Sequence, residues 1–282
     1  PEVIKNLDYL GIKTLVPIGG DDTLSFAAHL HKQGFKCVAI PKTMDNDVPG
    51  TDYCLGFSTC LTRTVDMVHQ LRTCAGSHER FLVIEVFGRY AGFTSLIPTM
   101  AGAADRCIIP EYKFNMDRLA QLMVEDKRNN PSGYSIVLVS EGAVFEGMDD
   151  MVFQGTETDM FGHRKLGGIG DMIGDRLKDL SGKYNNGEKV DILNQKLGYM
   201  VRSGEPDAID SLVSLGYGNL AMNYILSGKS GLMVCLQKGR YDSVPLDVVV
   251  SYKKLVDVTK FYDIERYRPT YTNIEDRPMW IA

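Results

Sequence analysis

Thr43-Met44-Asp45-Asn46-Asp47 sets two carboxylates two residues apart, directly after Lys42. One carboxylate can take a proton from a hydroxyl while the ammonium offsets negative charge, and general-base work of this kind contributes typically ~10²–10⁴-fold. The same residues also suit an Asx-rich turn. Gly19-Gly20-Asp21-Asp22 offers a second piece of chemistry. Two glycines ahead of a helix let backbone N–H groups approach phosphate oxygens, and the helix N-terminus adds partial positive charge. A carboxylate beside them, such as Asp21, suits Mg²⁺, which takes one or two carboxylates together with phosphate oxygens. Alone, that loop also reads as a strand-to-helix turn with an acidic cap. Arg89, set between Gly88 and Gly92, can reach a transferring phosphoryl group, and Arg63, Arg72 and Arg80 lie near it in sequence.

Short apolar runs must carry these loops. They are Leu15–Ile18, Cys37–Ile40, Phe81–Val86, Ile108–Ile109, Ile136–Val139 and Leu232–Leu236. The runs are nearly continuous rather than alternating, as in parallel strands buried on both faces. Helical spacing fills the gaps: Leu61, Val65, Val68, Leu71 and Ala75 share a face. Leu119, Leu122 and Met123 line a second helix behind a cap at Asn115, and Leu166, Ile169, Ile173, Leu177 and Leu180 a third. A fourth helical region, Leu212 to Leu226, is broken by Gly216 and Gly218. This alternation predicts an α/β fold. In open parallel sheets ligands bind beyond the carboxyl ends of strands. Four such ends carry Gly-Gly-Asp-Asp, Lys42 to Asp47, Phe87-Gly88-Arg89 and Glu141, which reads as one assembled site.

Other features lead elsewhere. Gly168-x-Gly170-x-x-x-Gly174 has the wrong spacing for a dinucleotide loop and no strand before it. His29-x-His31 lacks a third ligand at useful spacing and reads as a solvated helix face. There are 31 basic and 36 acidic residues, a formal net charge of −5, which disfavours nonspecific nucleic-acid binding. No apolar run approaches the roughly 20 residues of a membrane span. Six cysteines without a Cys-x-x-Cys pair point to reduced, buried thiols and a cytoplasmic setting. The 282 residues predict two domains. The chain opens inside a helical pattern without Met, so a missing front is expected.

Taken together, Gly19–Asp22, Pro41–Asp47, Gly50–Tyr53, Ser77-His78-Glu79-Arg80, Phe87-Gly88-Arg89-Tyr90-Ala91-Gly92 and Leu197-Gly198-Tyr199-x-x-Arg202-x-Gly204 resemble the phosphofructokinase family in order and spacing. The resemblance covers nearly the whole chain. It implies two three-layer α/β/α domains with mostly parallel sheets, the N-terminal portion missing. Residues 1–57 with 203–282 would form the phosphoryl-donor domain, and 58–202 the fructose 6-phosphate domain. It implies that Asp45 deprotonates the sugar 1-hydroxyl, that Asp21 holds Mg²⁺, and that Thr43 and Asp47 flank the reacting groups. Arg89 would stabilise the transferring phosphoryl group, Phe87 and Gly88 would shape the sugar pocket, and Glu141 would bind sugar hydroxyls. Tyr199 and Arg202 would hold the sugar phosphate. Arg80 would reach it from a second copy in a homodimer or homotetramer.

The resemblance implies that Gly20, Asp22 and Lys42 set the donor. ATP users of the family usually have Gly where Asp22 stands, so Asp22 with Lys42 resembles the pyrophosphate-dependent branch. ATP as donor, and a non-catalytic family subunit or fragment, are the alternatives. Phe87 replaces a frequent Met, and Tyr199 a frequent His. Leu193 stands where many members have Arg, with Lys196 as its substitute. Asp105 falls where the family's effector site often has Glu.

Overall fold

The computed structural model describes residues 2–158, 162, 164–272 and 275. The chain forms two compact units. The first comprises the described residues up to Thr59 together with Gly204–Lys254, and the second Cys60–Ser203 together with the described residues from Leu255 onward.

In the first unit the central strand is Lys36–Pro41, whose last five residues are buried. Thr14–Leu15, Ile18–Gly19 and Leu232–Gln237 all pair with it in parallel, and Arg240–Pro245 extends the sheet as an antiparallel hairpin. The expected strand Leu15–Ile18 is interrupted. Pro17 has no N–H to give a ladder, yet its carbonyl still accepts Ile40 N–H at 2.9 Å, so both halves follow the same partner. The hairpin turn, Lys238-Gly239, has both residues at positive φ (52° and 75°), the requirement of a tight two-residue turn. Helix Asp21–Lys32 packs Leu24, Ala27, Ala28 and Leu30 into a core with Cys37, Ala39, Val48 and Met233. Helix Ala208–Leu226 is continuous rather than broken. Gly216 makes room there for the Tyr241 ring, which lies 2.3 Å from where a methyl group would stand. Asp207 caps this helix by accepting Asp210 N–H at 2.9 Å, and buried Asp210 accepts Gly56 and Thr59 N–H at 2.8 and 2.9 Å.

The second unit holds a parallel four-stranded sheet in the order Arg106–Ile108, Ser135–Ser140, Phe81–Val86, Ile192–Lys196. Every residue of Phe81–Val86 and Ser135–Ser140 is buried, so both faces are covered. Helix Phe93–Met100 packs on the first two strands, and helix Ile169–Tyr184 on the last two. The predicted cap at Asn115 accepts Arg118 N–H at 3.0 Å and starts helix Met116–Asn129. Leu166 ends the strand Arg164–Leu166 instead of joining the helical face, which starts at Ile169. Residues 255–272, expected in the first unit, pack here instead. Val256 N–H donates to Glu111 at 2.9 Å and Tyr262 OH to the Cys107 carbonyl at 2.8 Å. All six cysteines are unpaired and five are buried. No helix of the described residues is long and apolar enough to cross a membrane.

Candidate active site

In the first unit the strand ends bring the two acidic motifs into contact. Gly20 caps helix Asp21–Lys32 with extended backbone and no side-chain hydrogen bond. Asp21 and Asp22 are exposed in the first turn, and Asp21 Oδ1 accepts Asp22 N–H at 3.0 Å. Lys42 N–H donates to Gly19 O at 2.8 Å. A methyl group on Gly20 would lie 3.7 Å from Thr43 Cβ. The glycine loop therefore rests on the Lys42–Thr43 segment, while the Lys42 side chain is exposed.

The carboxylate loop is fixed from behind. Thr43 Oγ1 accepts Asp45 N–H at 3.3 Å. Asn46 is fully buried with φ 55°, a conformation Asn tolerates better than most residues. Its amide donates to Asp52 O at 3.1 Å and its Oδ1 accepts Cys54 N–H at 2.9 Å. Buried Lys254 donates to Thr51 O and Asp52 O at 2.8 and 3.2 Å. Sequence chemistry points to neither Asn46 nor Lys254: Asn46 lies between two carboxylates that carry the more obvious chemistry, and Lys254 sits in a tail with no motif.

Burial pushes the Asp47 carboxyl up to about 6, the Asp21 charge adds to the rise, and Lys253 and Lys254 oppose it. The sign of the stability effect follows. At acid pH below the unfolded value of 3.8 both states hold the proton. Between 3.8 and about 6 the unfolded chain releases the proton while the folded state still holds it, so stability falls across that window and stays low above it. Asp47→Asn should therefore stabilise the metal-free protein at pH 7 by on the order of 1–3 kcal/mol, and leave it unchanged at acid pH. Urea unfolding at the two pH values checks this; equal midpoints at pH 7 would contradict it.

Asp21 and Asp47 also bear on the metal. Both offer hard oxygen ligands, and they repel each other. Among the described residues no group of three or more His, Cys, Asp and Glu could hold a metal ion. That donor set fits Mg²⁺, which is held by one or two carboxylates and completed by phosphate oxygens and water. It does not fit zinc. His29 and His31 are used otherwise: His29 Nε2 lies 2.8 Å from Gln33 Nε2, and His31 Nδ1 3.2 Å from Phe35 O.

In the second unit three adjacent parallel strands end together, with Val86 opposite Ser140 and Glu85 opposite Lys196. Their trailing residues form a cluster. The Phe87 and Tyr199 rings meet edge to face at 6.1 Å, and the Arg202 guanidinium stands 5.6 and 5.5 Å from the two ring centres. Tyr199 is 71% exposed and Arg202 is exposed, so both remain open to a ligand. Gly88 has φ 124° and no room for a side chain, since a methyl there would lie 2.8 Å from Ala91 O. Gly142 is tighter still, with Arg89 O 1.9 Å from the methyl position, so the Arg89 and Glu141 loops are pressed together. Gly142 N–H donates to Gly88 O at 3.1 Å and Glu141 N–H to Val86 O at 2.9 Å. Arg89 Nη2 donates to Arg164 O at 3.0 Å. Burial raises the Glu141 carboxyl above the usual range; Lys196 opposes this, Glu85 adds to it, and Arg89 and Arg202 oppose it.

Phe87, Gly88, Arg89, Glu141, Tyr199 and Arg202 are thus brought together, as are Gly20, Asp21, Lys42, Thr43, Asp45 and Asp47 in the first unit. Arg80 is not. It precedes Phe81 at the opposite end of the strand, which at ~3.3 Å per residue is roughly 20 Å from Phe87. Lys196 does not stand free as a substitute phosphate ligand, because its ammonium lies 2.6 Å from Glu85 Oε1. Asp105 is exposed, and its carboxylate accepts Ile136 N–H at 2.8 Å, a structural duty. Glu85 is a site residue beyond those the sequence motifs indicate, and its signal is a lone carboxylate inside the apolar run Phe81–Val86.

The family profile described as Phosphofructokinase matches residues 1–225. The chain is 35% identical over 255 residues to the pyrophosphate–fructose 6-phosphate 1-phosphotransferase of Amycolatopsis mediterranei, covering 90% of this chain and 72% of that one. It is 36% identical over 249 residues to the ATP-dependent 6-phosphofructokinase of Chloroflexus aggregans, covering 88% of this chain and 65% of that one. Among solved structures, the pyrophosphate-dependent phosphofructokinase from Nitrosospira multiformis superposes with a TM-score of 0.80 at 18% identity, over 96% of this chain and 68% of that one. That last likeness concerns the fold.

Proposed function

Because this chain belongs to the phosphofructokinase family, we propose that it transfers a phosphoryl group from pyrophosphate to the 1-hydroxyl of fructose 6-phosphate, reversibly and with Mg²⁺. The observation that carries the donor assignment is Asp22, exposed in the first turn of the helix behind Gly19-Gly20, with Lys42 on the adjoining loop. The acceptor assignment rests on Arg202 stacked with Phe87 and Tyr199 beside the Glu141 loop.

In this reading Asp45 accepts the proton of the 1-hydroxyl as its oxygen attacks phosphorus. The bond from phosphorus to the bridging oxygen breaks, and orthophosphate leaves. Such transition states are loose, so positioning and charge stabilisation dominate. Arg89 offsets charge on the transferred group, and Lys42 offsets charge on the departing phosphate. The N–H groups at Gly20 and the first helical turn face phosphate oxygens. Thr43 holds the Asp45 loop through its hydrogen bond. Mg²⁺, held by Asp21 with Asp47 nearby, would neutralise phosphate oxygens. Glu141 accepts sugar hydroxyls, while Tyr199 and Arg202 grip the 6-phosphate. Arg80, remote within one chain, would serve from a second copy, which makes a homodimer or homotetramer the working form.

Incubation of the protein with fructose 6-phosphate, pyrophosphate and Mg²⁺, followed by ³¹P NMR, tests the reading. Matched growth of fructose 1,6-bisphosphate and orthophosphate signals is expected, and static spectra would sink it. Arg202→Ala should raise KM for fructose 6-phosphate by roughly 10–100-fold, the worth of a charged hydrogen bond, with kcat changed much less. A KM within twofold of wild type would remove Arg202 from the phosphate grip. ATP is the competing donor, since relatives bearing that name match equally well.

A further inference from the structure

Lys196 and Glu85 face each other across neighbouring parallel strands, and Val139 is the register partner of Glu85 on the other side. Side chains alternate along a strand, so Glu141, two residues past Val139, continues the same face. Glu141 N–H still bonds Val86 O, so the ladder reaches that position. Three charged groups therefore share one face at the carboxyl edge of the sheet. Glu85 is 4% exposed in its side chain and Lys196 41%. Glu85 Oε2 also accepts Gly168 and Gly170 N–H at 2.9 and 3.0 Å, tying the start of helix Ile169–Tyr184 to the strand. The glycine run that imitated a nucleotide loop thus binds an internal carboxylate. Gly167 has φ 134°, and its methyl position lies 2.0 Å from Lys196 Nζ, so the ammonium fills space a side chain would need.

We propose that Lys196 is a positioning residue for the sugar: clamped on Glu85, its ammonium keeps the neighbouring Glu141 ionised and able to accept sugar hydroxyls. The proposal rests on the sugar-binding role of Glu141 given above. Two carboxylates share this half-buried face. The charged groups acting on Glu141 are Lys196, Glu85, Arg89 and Arg202, and after burial Lys196 has the largest effect. Arg89 is partly committed elsewhere through Arg164 O. Without Lys196 the repulsion from Glu85 goes unopposed at close range, and Glu141 holds its proton to higher pH.

The test follows the Glu141 carboxyl by ¹³C NMR titration, and kcat and KM for fructose 6-phosphate against pH, in wild type and Lys196→Met. The expected result is a Glu141 titration displaced to higher pH. KM should rise roughly tenfold near neutrality, as for one lost charged hydrogen bond, with kcat nearly retained and the acid limb of kcat/KM moved upward. Lys196→Arg should restore both. The neutral pair Glu85→Gln with Lys196→Met leaves no buried unpaired charge, so it keeps the measurement possible where the single variant fails to fold. It removes an attractive and a repulsive neighbour together, and the titration should then move less than in the single variant. An unmoved Glu141 titration in both variants overturns the proposal. Absence of fructose 6-phosphate binding by wild type would instead refute the function assigned above, and the titration would still decide the role of Lys196.

Discussion

Asp45→Ser should lower kcat by ~10²–10⁴-fold, the range that a positioned general base supplies. KM for fructose 6-phosphate should change by only a few-fold. Asp45 is half-buried and its backbone is held by Thr43 Oγ1 at 3.3 Å. Asn46 fixes the same loop through Asp52 and Cys54. Removing the carboxylate therefore leaves its frame in place, and circular dichroism should be unchanged. The effect belongs to the transition state, because the hydroxyl proton is lost only as the new bond forms. Steady-state rates in both directions check it. A kcat within about threefold of wild type would show that the proton goes elsewhere.

Asp22→Gly should admit ATP. In the proposed reading, a carboxylate at the first helical turn would stand where the α-phosphate of a nucleotide must pass. Two like charges ~4 Å apart at an effective dielectric near 20 repel by about 4 kcal/mol, roughly a thousandfold in binding. Removing one should raise kcat/KM for ATP toward that factor. Glycine in place of Asp near the start of the exposed turn costs under ~1 kcal/mol of helix stability, so the fold tolerates the test. Turnover with pyrophosphate should fall less, because Lys42 and the Gly20 N–H groups remain. Kinetics of the variant with both donors, against Asp22→Asn as a same-size control, check this. No gain with ATP in either variant would move donor choice away from this position.

Much of the fold was legible because parallel strands buried on both faces leave continuous apolar runs. Phe81–Val86 and Ser135–Ser140 declare themselves this way. Edge and hairpin strands do not. Ile192–Lys196 is only half-buried and reads Ile-Leu-Asn-Gln-Lys, and Arg240–Pro245 is mostly exposed. Gly216 reads as a break because a helical glycine normally signals one, whereas here it lets the Tyr241 ring pack close to the helix. The site loops were legible because strand ends are where ligands bind and their residue types are unusual. Their supports were not, since Lys254 acts through the Thr51 and Asp52 carbonyls, about 200 residues away in sequence. From the sequence Lys196 reads as a substitute for the arginine absent at Leu193, and only the register with Glu85 assigns its charge.

The central claim is that one carboxylate beside the glycine loop selects pyrophosphate. Its most direct test is wild-type kcat/KM for pyrophosphate and for ATP, measured side by side with saturating fructose 6-phosphate and Mg²⁺. Turnover with pyrophosphate should exceed that with ATP by roughly a thousandfold, the factor set by the charge repulsion. Turnover with ATP and none with pyrophosphate would contradict it.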